Sequence, residues 1–303
     1  MAAHNDRMTE KASTKTKDLD TYEVKNIIGL MNREDKTVAE SVEQALPRIQ
    51  TAIEKIIDAM EKGGRLFYIG AGSSGRMGIL DASECPPTFG VDPELVIGMI
   101  AGGDEAIRWS IEDAEDDREA GKNDVIQEVK AGDAVVGIAA SGTTPYVLGG
   151  IEAAHEMGAV TVGISCNEGT PLSDAVQVGI EIKTGPEVLA GSTRLKAGTA
   201  QKMVLNMIST TTMIKLGKAY GNLMVNMQAT NQKLRNRAVD IVCSATDVNH
   251  EKAQDMIDKA NGDTRAAILM IMYDINVETA LTALEHVNGH FRNAMYRIEK
   301  DGR

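Results

Sequence analysis

The chain has 303 residues and a formal net charge of −12 at pH 7, a length that allows one α/β domain of roughly 150–200 residues plus helical additions. The acidic balance argues against nucleic acid as a partner, because proteins that bind nucleic acid present a basic face. Three cysteines without paired spacing indicate neither a disulfide framework nor a zinc site, and no apolar run approaches the roughly 18 residues of a membrane span. Since the N-terminus also lacks a signal-peptide pattern, we expect a cytoplasmic protein with no membrane partner.

Residues 1–45 are predicted to form an N-terminal arm and a helix. The first 20 residues are polar and rich in Lys, Thr and Asp, so we expect a mobile arm or one that packs on a partner subunit. A short helix is predicted over Tyr22 to Asn32. A second helix begins at Pro47, a residue that suits a first helical turn, and apolar residues continue at helical spacing until Gly63-Gly64.

A glycine-rich turn follows the first predicted strand. The apolar run Leu66 to Ile69 leads directly into Gly70-Ala71-Gly72-Ser73-Ser74-Gly75-Arg76, which opens an apolar helical stretch. Such a turn aims backbone N–H groups and the positive end of a helix dipole at one point, where an anion can bind. Since hydroxyl donors suit a phosphate monoester, Gly72, Ser73 and Ser74 are predicted to bind one.

A second turn of this kind follows the predicted strand Ala134 to Ile138. It again combines a glycine with hydroxyl side chains, in the residues Ser141, Gly142, Thr143 and Thr144. Two such turns in one chain make a phosphorylated small molecule the leading candidate ligand.

Three further strands and the helices between them complete a predicted domain at residues 46–222. The strands are Leu95 to Ile100, Val160 to Ser165 and Val176 to Ile182, and the helices are Ile107 to Glu115, Tyr146 to Met157 and a short one after Asn167. Apolar strands that alternate with helices predict an α/β fold, with a parallel sheet between two helical layers. Ligands of such sheets bind beyond the C-terminal ends of the strands, where both glycine turns lie.

A long helix is predicted from Ser192 to Leu216, with Ser192 or Thr193 as its N-cap. Its small residues could equally serve close helix packing alone. Residues 247–303 show three short amphipathic helices, separated by Asn261-Gly262-Asp263 and Asn288-Gly289. We therefore predict a small helical domain at residues 223–303.

Other interpretations of these features have to be weighed. Gly70 to Gly75 also fits the dinucleotide pattern G-x-G-x-x-G, but that pattern needs an acidic residue about 20 positions later at the end of a strand. Glu94 precedes its strand instead, which disfavours a dinucleotide. Glu84 could simply cap the helix that it follows, and Glu115 belongs to an acidic run of the kind that usually forms a solvated face.

Four segments together resemble a known family. They are Gly70 to Arg76, Asp81 to Thr88 (DASECPPT), Ile138 to Gly142 and Gly191 to Lys202. These segments are similar to those of the N-acetylmuramic acid 6-phosphate etherases, which are built on the sugar isomerase (SIS) domain. The likeness runs from about Asn26 to the C-terminus.

The resemblance implies cleavage of the lactyl ether of N-acetylmuramic acid 6-phosphate to N-acetylglucosamine 6-phosphate and D-lactate, in the recycling of cell-wall sugars. It also implies a homodimer and no cofactor, and it matches Glu84 and Glu115 to the two carboxylates of the family. The chain departs from the family pattern at Thr143, where Arg is common, so a cationic contact at that turn does not carry over. The arm Ala12 to Thr16 also differs from the usual start, which contains Asn-Pro.

The chemistry favours a β-elimination, because direct displacement at C3 would expel an alkoxide. Ring opening exposes a C1 aldehyde that acidifies the C2 proton. One carboxylate removes that proton, one carboxylic acid protonates the departing lactyl oxygen, and water then adds at C3. The two carboxyl groups therefore need opposite protonation states.

Glu84 suits the acid, since the neighbouring Cys85-Pro86-Pro87 predicts an apolar surrounding that raises a carboxyl pKa. Glu115 is the candidate base, and the reverse assignment stays open. Ser192 and Lys196 complete the predicted substrate-binding residues, with Lys196 adding positive charge near the bound sugar acid.

Two other functions stay open. An aldose–ketose phosphate isomerase on the same fold would also need a carboxylate at C2, but it would form a keto-sugar phosphate and no D-lactate. A non-catalytic sensor of sugar phosphates would not require both glutamates. A sensor that acts on DNA would carry a basic helix-turn-helix domain, which the mildly acidic segment before the first strand does not offer.

Overall fold

The centre of the fold is a five-stranded parallel sheet. In a computed structural model, which describes residues 7–227 and 232–301, the strands are β1 (Leu66–Gly70), β2 (Val96–Ile100), β3 (Ala134–Ile138), β4 (Val160–Ser165) and β5 (Val178–Glu181). They lie in the order β2-β1-β3-β4-β5, and every neighbouring pair is parallel. The five predicted strands and the α/β fold class are confirmed.

Helices cover both faces of this sheet. Successive side chains on a strand point to opposite faces, so two consecutive residues of β3 contact different helices. The space beside Gly137 of β3 is filled by Val147 and Ile151 of helix α5 (Pro145–Glu156). The next residue, Ile138, approaches Gly78 of helix α2 (Gly72–Phe89) on the other face. Strands β1 and β3 are buried at every position, which explains why their sequences are continuous apolar runs.

Helix α1 spans Val24–Glu61 as one helix of 38 residues. The prediction of two helices, one of them beginning at Pro47, was wrong. A proline inside a helix leaves the carbonyl four residues earlier without its N–H partner. Pro47 and Glu43 are both exposed, so water can hydrate that carbonyl. The buried apolar side of α1 packs on β4 and β5.

The segment between β2 and β3 also differs from the prediction of a helix over Ile107 to Glu115. It contains α3 (Glu105–Arg108), a short 3-10 helix (Ala114–Asp116) and α4 (Arg118–Glu128). Helix α3 ends at Arg108 because Trp109 has an extended backbone, with a φ of −117° and a ψ of 153°. Asp113 is left-handed, with a φ of 60°, so no α-helix runs through it. Helix α4 begins later, where the Asp117 side chain accepts a hydrogen bond from the Ala120 amide at 2.9 Å.

The remaining helices of the sheet region are α6 (Pro171–Ala175) and α7 (Lys196–Lys215). Helices α5 and α6 confirm the predicted ones, whereas α7 begins at Lys196 and not at Ser192. The N-terminal arm contains three short 3-10 helices, Met8–Glu10, Thr14–Thr16 and Leu19–Thr21.

The chain divides into two compact units. The first comprises residues 1–83 and 94–209 and contains the sheet, and the second comprises residues 84–93 and 210–303. The domain boundaries predicted between residues 45 and 46 and between residues 222 and 223 stay predictions.

The second unit contains helices α8 (Gln232–Thr246), α9 (His250–Lys259), α10 (Thr264–Tyr273), α11 (Val277–Glu285) and α12 (Phe291–Asp301). The described part of residues 247–303 thus holds four helices, and the prediction of three was wrong. Asp274, with a left-handed φ of 52°, and the N-cap Asn276 separate α10 from α11. Among the described residues no single helix is long and apolar enough to cross a membrane; α10 and α11 meet that criterion only as a pair bent by 116°.

A buried carboxylate, Asp81, links three elements of the first unit. It lies on α2 and accepts hydrogen bonds from the Tyr68 hydroxyl of β1 at 2.9 Å, and from Asn206 and Ser209 of α7 at 2.6 and 3.1 Å. A carboxylate is tolerated in the interior when its oxygen lone pairs are satisfied in this way. Asp81 therefore fixes α2 against both β1 and α7.

We expect Asp81→Ala to lower the free energy of unfolding by about 3 kcal/mol, because it leaves the buried donors of Tyr68 and Ser209 and the half-buried amide of Asn206 without their acceptor. Urea unfolding followed by circular dichroism measures the change. Asp58→Ala, on the exposed side of α1, is the control and should change the free energy by less than about 0.5 kcal/mol. Equal effects of the two substitutions would contradict the role given to Asp81.

Candidate active site

The first glycine turn lies at the C-terminal edge of the sheet, where β1 ends and α2 begins. Gly72 has a φ of 51° and is exposed, and Ser73 is half-buried. Ser74 is buried and lies 3.0 Å from Gln201 of α7, to which its hydroxyl donates. The first backbone N–H groups of α2 have no carbonyl partner within the helix, so this turn presents donors to an anion.

Close packing explains why Gly75 is a glycine. A Cβ atom there would lie 2.6 Å from the Ile100 side chain and 2.8 Å from the Gly70 carbonyl oxygen. Only a residue without a side chain lets α2 begin so close to the ends of β1 and β2.

The second glycine turn follows β3, the neighbour of β1 in the sheet. Gly142 has a φ of 71°, and a Cβ atom there would lie 2.4 Å from the Thr170 side chain. The Ser141 hydroxyl accepts hydrogen bonds from the Thr143 amide and hydroxyl at 3.2 and 3.1 Å. Thr144 is half-buried and precedes Pro145, the first residue of α5.

The N-terminal arm packs against this second turn. Thr9 is fully buried; its amide donates to the Asn167 side chain at 3.3 Å, and the Asn167 amide group donates to the Thr9 hydroxyl at 3.0 Å and to the Ala140 carbonyl at 2.9 Å. The Arg7 guanidinium donates to the Thr143 hydroxyl. For residues 7–10 the prediction of a mobile arm was wrong, because these residues pack on their own chain; packing of the arm on a partner subunit stays a prediction. Residues 1–6 lie outside the described part of the chain.

A cavity of about 340 Å³, here called the Glu115 cavity, lies beside the first turn. Its lining residues include Gly72, Arg76, Trp109, Glu112, Asp113, Glu115 and Asp116. The structure thereby brings together two predicted site residues, Gly72 and Glu115. Four carboxylates and one guanidinium, that of Arg76, line the cavity. Because the carboxylates outnumber the guanidinium, the cavity favours ligands with hydroxyl donors over anionic ligands.

Glu84 occupies a different setting from the predicted one. It is exposed on α2, which continues through Pro86 and Pro87 to Phe89, so Glu84 neither follows this helix nor caps it. The expected apolar, desolvated surrounding was therefore wrong. Glu84 belongs to the second unit and Glu115 to the first, and their pairing stays a prediction.

The start of α7 is capped by a residue that the sequence did not single out. The fully buried Glu187 carboxylate accepts hydrogen bonds from the Lys196 and Ala197 amides, each at 3.0 Å. The prediction of Ser192 or Thr193 as the cap was wrong, because a buried carboxylate from the loop after β5 satisfies these amides instead. Ser192 lies in the turn before α7 and is half-buried.

Lys196 is paired within the protein. Its ammonium group is buried and lies 3.0 Å from the Glu34 carboxylate of α1, which also accepts from the exposed Lys15 at 3.2 Å. The hydrogen bond from Lys196 is the main cause that lowers the pKa of Glu34 below its ordinary value. Contact between Lys196 and a substrate stays a prediction.

The Cys166 thiol does not have the properties of a nucleophile. Cys166 is buried beside Ala140, and burial, followed by the nearby charge of Glu187, raises its thiol pKa to about 12. A thiol with that pKa is protonated at neutral pH and is a poor nucleophile. Within residues 7–227 and 232–301, no group of three or more His, Cys, Asp or Glu side chains could hold a metal ion.

Comparison with known proteins decides the family. The chain is 51% identical over 289 residues to the N-acetylmuramic acid 6-phosphate etherase of Caldanaerobacter subterraneus subsp. tengcongensis, across 95% of this chain and 94% of that protein. It is 47% identical over 301 residues to N-acetylmuramic acid 6-phosphate etherase 2 of Vibrio cholerae, across 99% and 98% of the two chains. The chain belongs to the N-acetylmuramic acid 6-phosphate etherase family.

Two family models match the part of the chain that contains the sheet. Residues 48–155, which contain both glycine turns, match the glucokinase regulatory protein N-terminal SIS domain, and residues 112–211 match the SIS domain. Among solved structures, the phosphoheptose isomerase from Neisseria gonorrhoeae has a TM-score of 0.49 and 16% identity, and the match covers 63% of this chain and 98% of that one.

The structure of this etherase family member adds residues that sequence reasoning missed, namely Arg7, Arg76, Trp109, Asn167 and Glu187. Arg76 stands in the glycine-rich motif, and Trp109 is the single tryptophan of the chain, so both offered a signal. Arg7, Asn167 and Glu187 offered none, because their roles depend on contacts between segments far apart in sequence.

We expect Glu34→Gln to reduce stability at neutral pH and to remove part of the pH dependence of stability. Because the folded-state pKa of Glu34 lies below its unfolded value of 4.5, its stabilising effect is fully present above that value and is lost as the pH falls through the folded pKa. The difference in unfolding free energy between wild type and Glu34→Gln should therefore shrink from about pH 6 to about pH 3. Urea unfolding across this pH range measures it.

The matched control for this experiment is Glu54→Gln, an exposed glutamate on the same helix. Its difference from wild type should stay small and flat with pH. A difference for Glu34→Gln that grows as the pH falls would contradict the prediction.

Proposed function

We propose that the protein cleaves the D-lactyl ether of N-acetylmuramic acid 6-phosphate, as a carbon–oxygen lyase that forms N-acetylglucosamine 6-phosphate and D-lactate in cell-wall sugar recycling. The observation that carries the proposal is about 50% identity to proteins of that name over 95% of the chain. The local geometry supports it, since Gly72 and Glu115 line the same cavity.

Charge assigns the two ends of the substrate to different parts of the site. The carboxylates of Glu112, Asp113, Glu115 and Asp116 line the Glu115 cavity, and they would repel a phosphate dianion. The phosphate therefore fits the N–H groups of the glycine turns, with the Arg7 guanidinium beside Thr143. The sugar carbons then extend towards the carboxylates, which accept hydrogen bonds from hydroxyl groups.

Glu115 is the base in this proposal. It lies on a short 3-10 helix, is exposed and lines the cavity, so its carboxylate can reach the C2 proton of the ring-opened aldehyde. In the same scheme Glu84 protonates the departing lactyl oxygen, after which water adds at C3 and restores the hydroxyl group. Each proton transfer contributes about 10²–10⁴-fold to the rate.

The predicted contacts of the bound phosphosugar are part of this proposal. They comprise Gly72, Ser73 and Ser74 of the first turn, Ser141, Gly142, Thr143 and Thr144 of the second, and Ser192 and Lys196 near the start of α7. The homodimer, the cytoplasmic location and a reaction without a cofactor belong to the proposal as well, and they rest on the sequence predictions.

We expect Glu115→Gln to lower kcat by about 10²–10⁴-fold while KM changes little, because the amide cannot accept the C2 proton. Glu84→Gln should lower kcat to a similar degree. Release of D-lactate from N-acetylmuramic acid 6-phosphate measures both. Glu119→Gln, an exposed change on α4, is the matched control and should keep wild-type kcat; a Glu115→Gln variant as active as this control would exclude Glu115 as the base.

Turnover in heavy-oxygen water tests the reaction itself. The label should enter C3 of N-acetylglucosamine 6-phosphate, because water adds there after elimination, and the lactate should carry none. Label in the lactate would mean substitution at its own carbon and would exclude the elimination. A keto-sugar phosphate formed without lactate would identify an isomerase, and ligand binding without any product would identify a sensor.

A further inference from the structure

Trp109 has an unusual position for the single tryptophan of a chain. Its side chain is 71% exposed, although tryptophan is normally among the more buried residues. It lines the Glu115 cavity together with Gly72 and Glu115. An exposed indole at the mouth of a polar cavity leaves a large apolar surface available to a ligand.

The backbone at Trp109 is held in place by hydrogen bonds. Its amide donates to the Glu105 carbonyl at 3.0 Å, and its carbonyl accepts from the Arg76 guanidinium at 3.2 Å. The same guanidinium donates to the Ile107 carbonyl at 3.0 Å. Because Arg76 lies on α2 directly after the glycine turn, these bonds tie the backbone that carries the indole to the helix proposed to bind the phosphate.

The loop that carries Trp109 is also stabilised by a contact between its own two ends. Ile111 packs against Gly102, where a Cβ atom would lie 3.0 Å from the Ile111 side chain. Gly102 and Gly103 have φ values of 85° and 68° and turn the chain sharply after β2. The indole is thus presented by a loop with a defined shape.

The rest of the cavity explains what such an indole would contact. Its charged side chains are mainly carboxylates, which can accept hydrogen bonds from sugar hydroxyls but cannot cover the apolar C–H face of a sugar. Aromatic side chains pack against such a face and combine a large apolar area with few lost rotamers. Trp109 is the aromatic residue among those that line this cavity.

We propose that the Trp109 indole packs against the C–H face of the bound amino sugar and so holds its C2 and C3 atoms at Glu115. The inference rests on the proposed function, because it takes the substrate from there. It adds a substrate-contacting residue that is distinct from the phosphate donors and from the two glutamates.

Intrinsic fluorescence tests this directly, because the emission of tryptophan comes from Trp109 alone. Titration with the stable product N-acetylglucosamine 6-phosphate should shift the emission to shorter wavelength, with saturation at the concentration at which the product inhibits lactate release. Inorganic phosphate, which lacks the sugar, should leave the emission unchanged. An unchanged emission at product concentrations that inhibit turnover would overturn the proposal while the etherase function stands.

Kinetics of two variants give an independent measurement. Trp109→Ala should raise KM for N-acetylmuramic acid 6-phosphate by about tenfold, and Trp109→Phe should restore most of this loss because it keeps an aromatic face. Ile126→Ala, at another exposed apolar residue, should keep the wild-type KM. An unchanged KM in Trp109→Ala would overturn the proposal. An emission that responds to protein dilution and not to the sugar phosphate would also overturn it, and would assign the indole to protein association.

Discussion

The parallel register of β1 with its two neighbours is the constraint on which the site depends. Gly70 pairs with Ile100 of β2 and with Ile138 of β3, so three strands end at the same level. The chain segments that follow, namely both glycine turns and the loop with Trp109, therefore leave the sheet side by side. Neighbouring strands lie about 4.8 Å apart, which is the scale of one phosphate group or one sugar ring.

Buried polar interactions hold the helices in position at the C-terminal edge of the sheet. The Asp81 carboxylate accepts from β1 and from α7, and the Glu187 carboxylate accepts from the first amides of α7. A buried carboxylate is costly unless its lone pairs are satisfied, so each of these groups specifies the position of the elements around it. The Lys196–Glu34 pair connects α7 with α1 in the same way.

Local charge, and not the net charge of −12, decides what the site can bind. The Glu115 cavity is acidic, whereas the glycine turns present backbone N–H groups and the Arg7 guanidinium lies at Thr143. A ligand with a phosphate at one end and hydroxyl groups along the other matches this separation. The family resemblance gave no cation at Thr143, and the arm supplies one from a distant part of the chain.

The amino-acid sequence by itself determined the strands, both glycine turns and the family, because buried apolar runs, positive-φ glycines and shared motifs are local properties. It failed at Pro47, where exposed Glu43 lets water hydrate the carbonyl that a proline leaves unpaired, and at Pro86, which α2 also includes. It failed too in the segment before Glu115, where the extended backbone of Trp109 ends α3 and left-handed Asp113 cannot belong to an α-helix. Tertiary structure alone decided the cap of α7, the pairing of Lys196 with Glu34, the packing of the N-terminal arm on the second glycine turn and the exposure of Trp109. Each of these depends on which distant polar groups meet in space, and such partners leave no periodic signal along the chain.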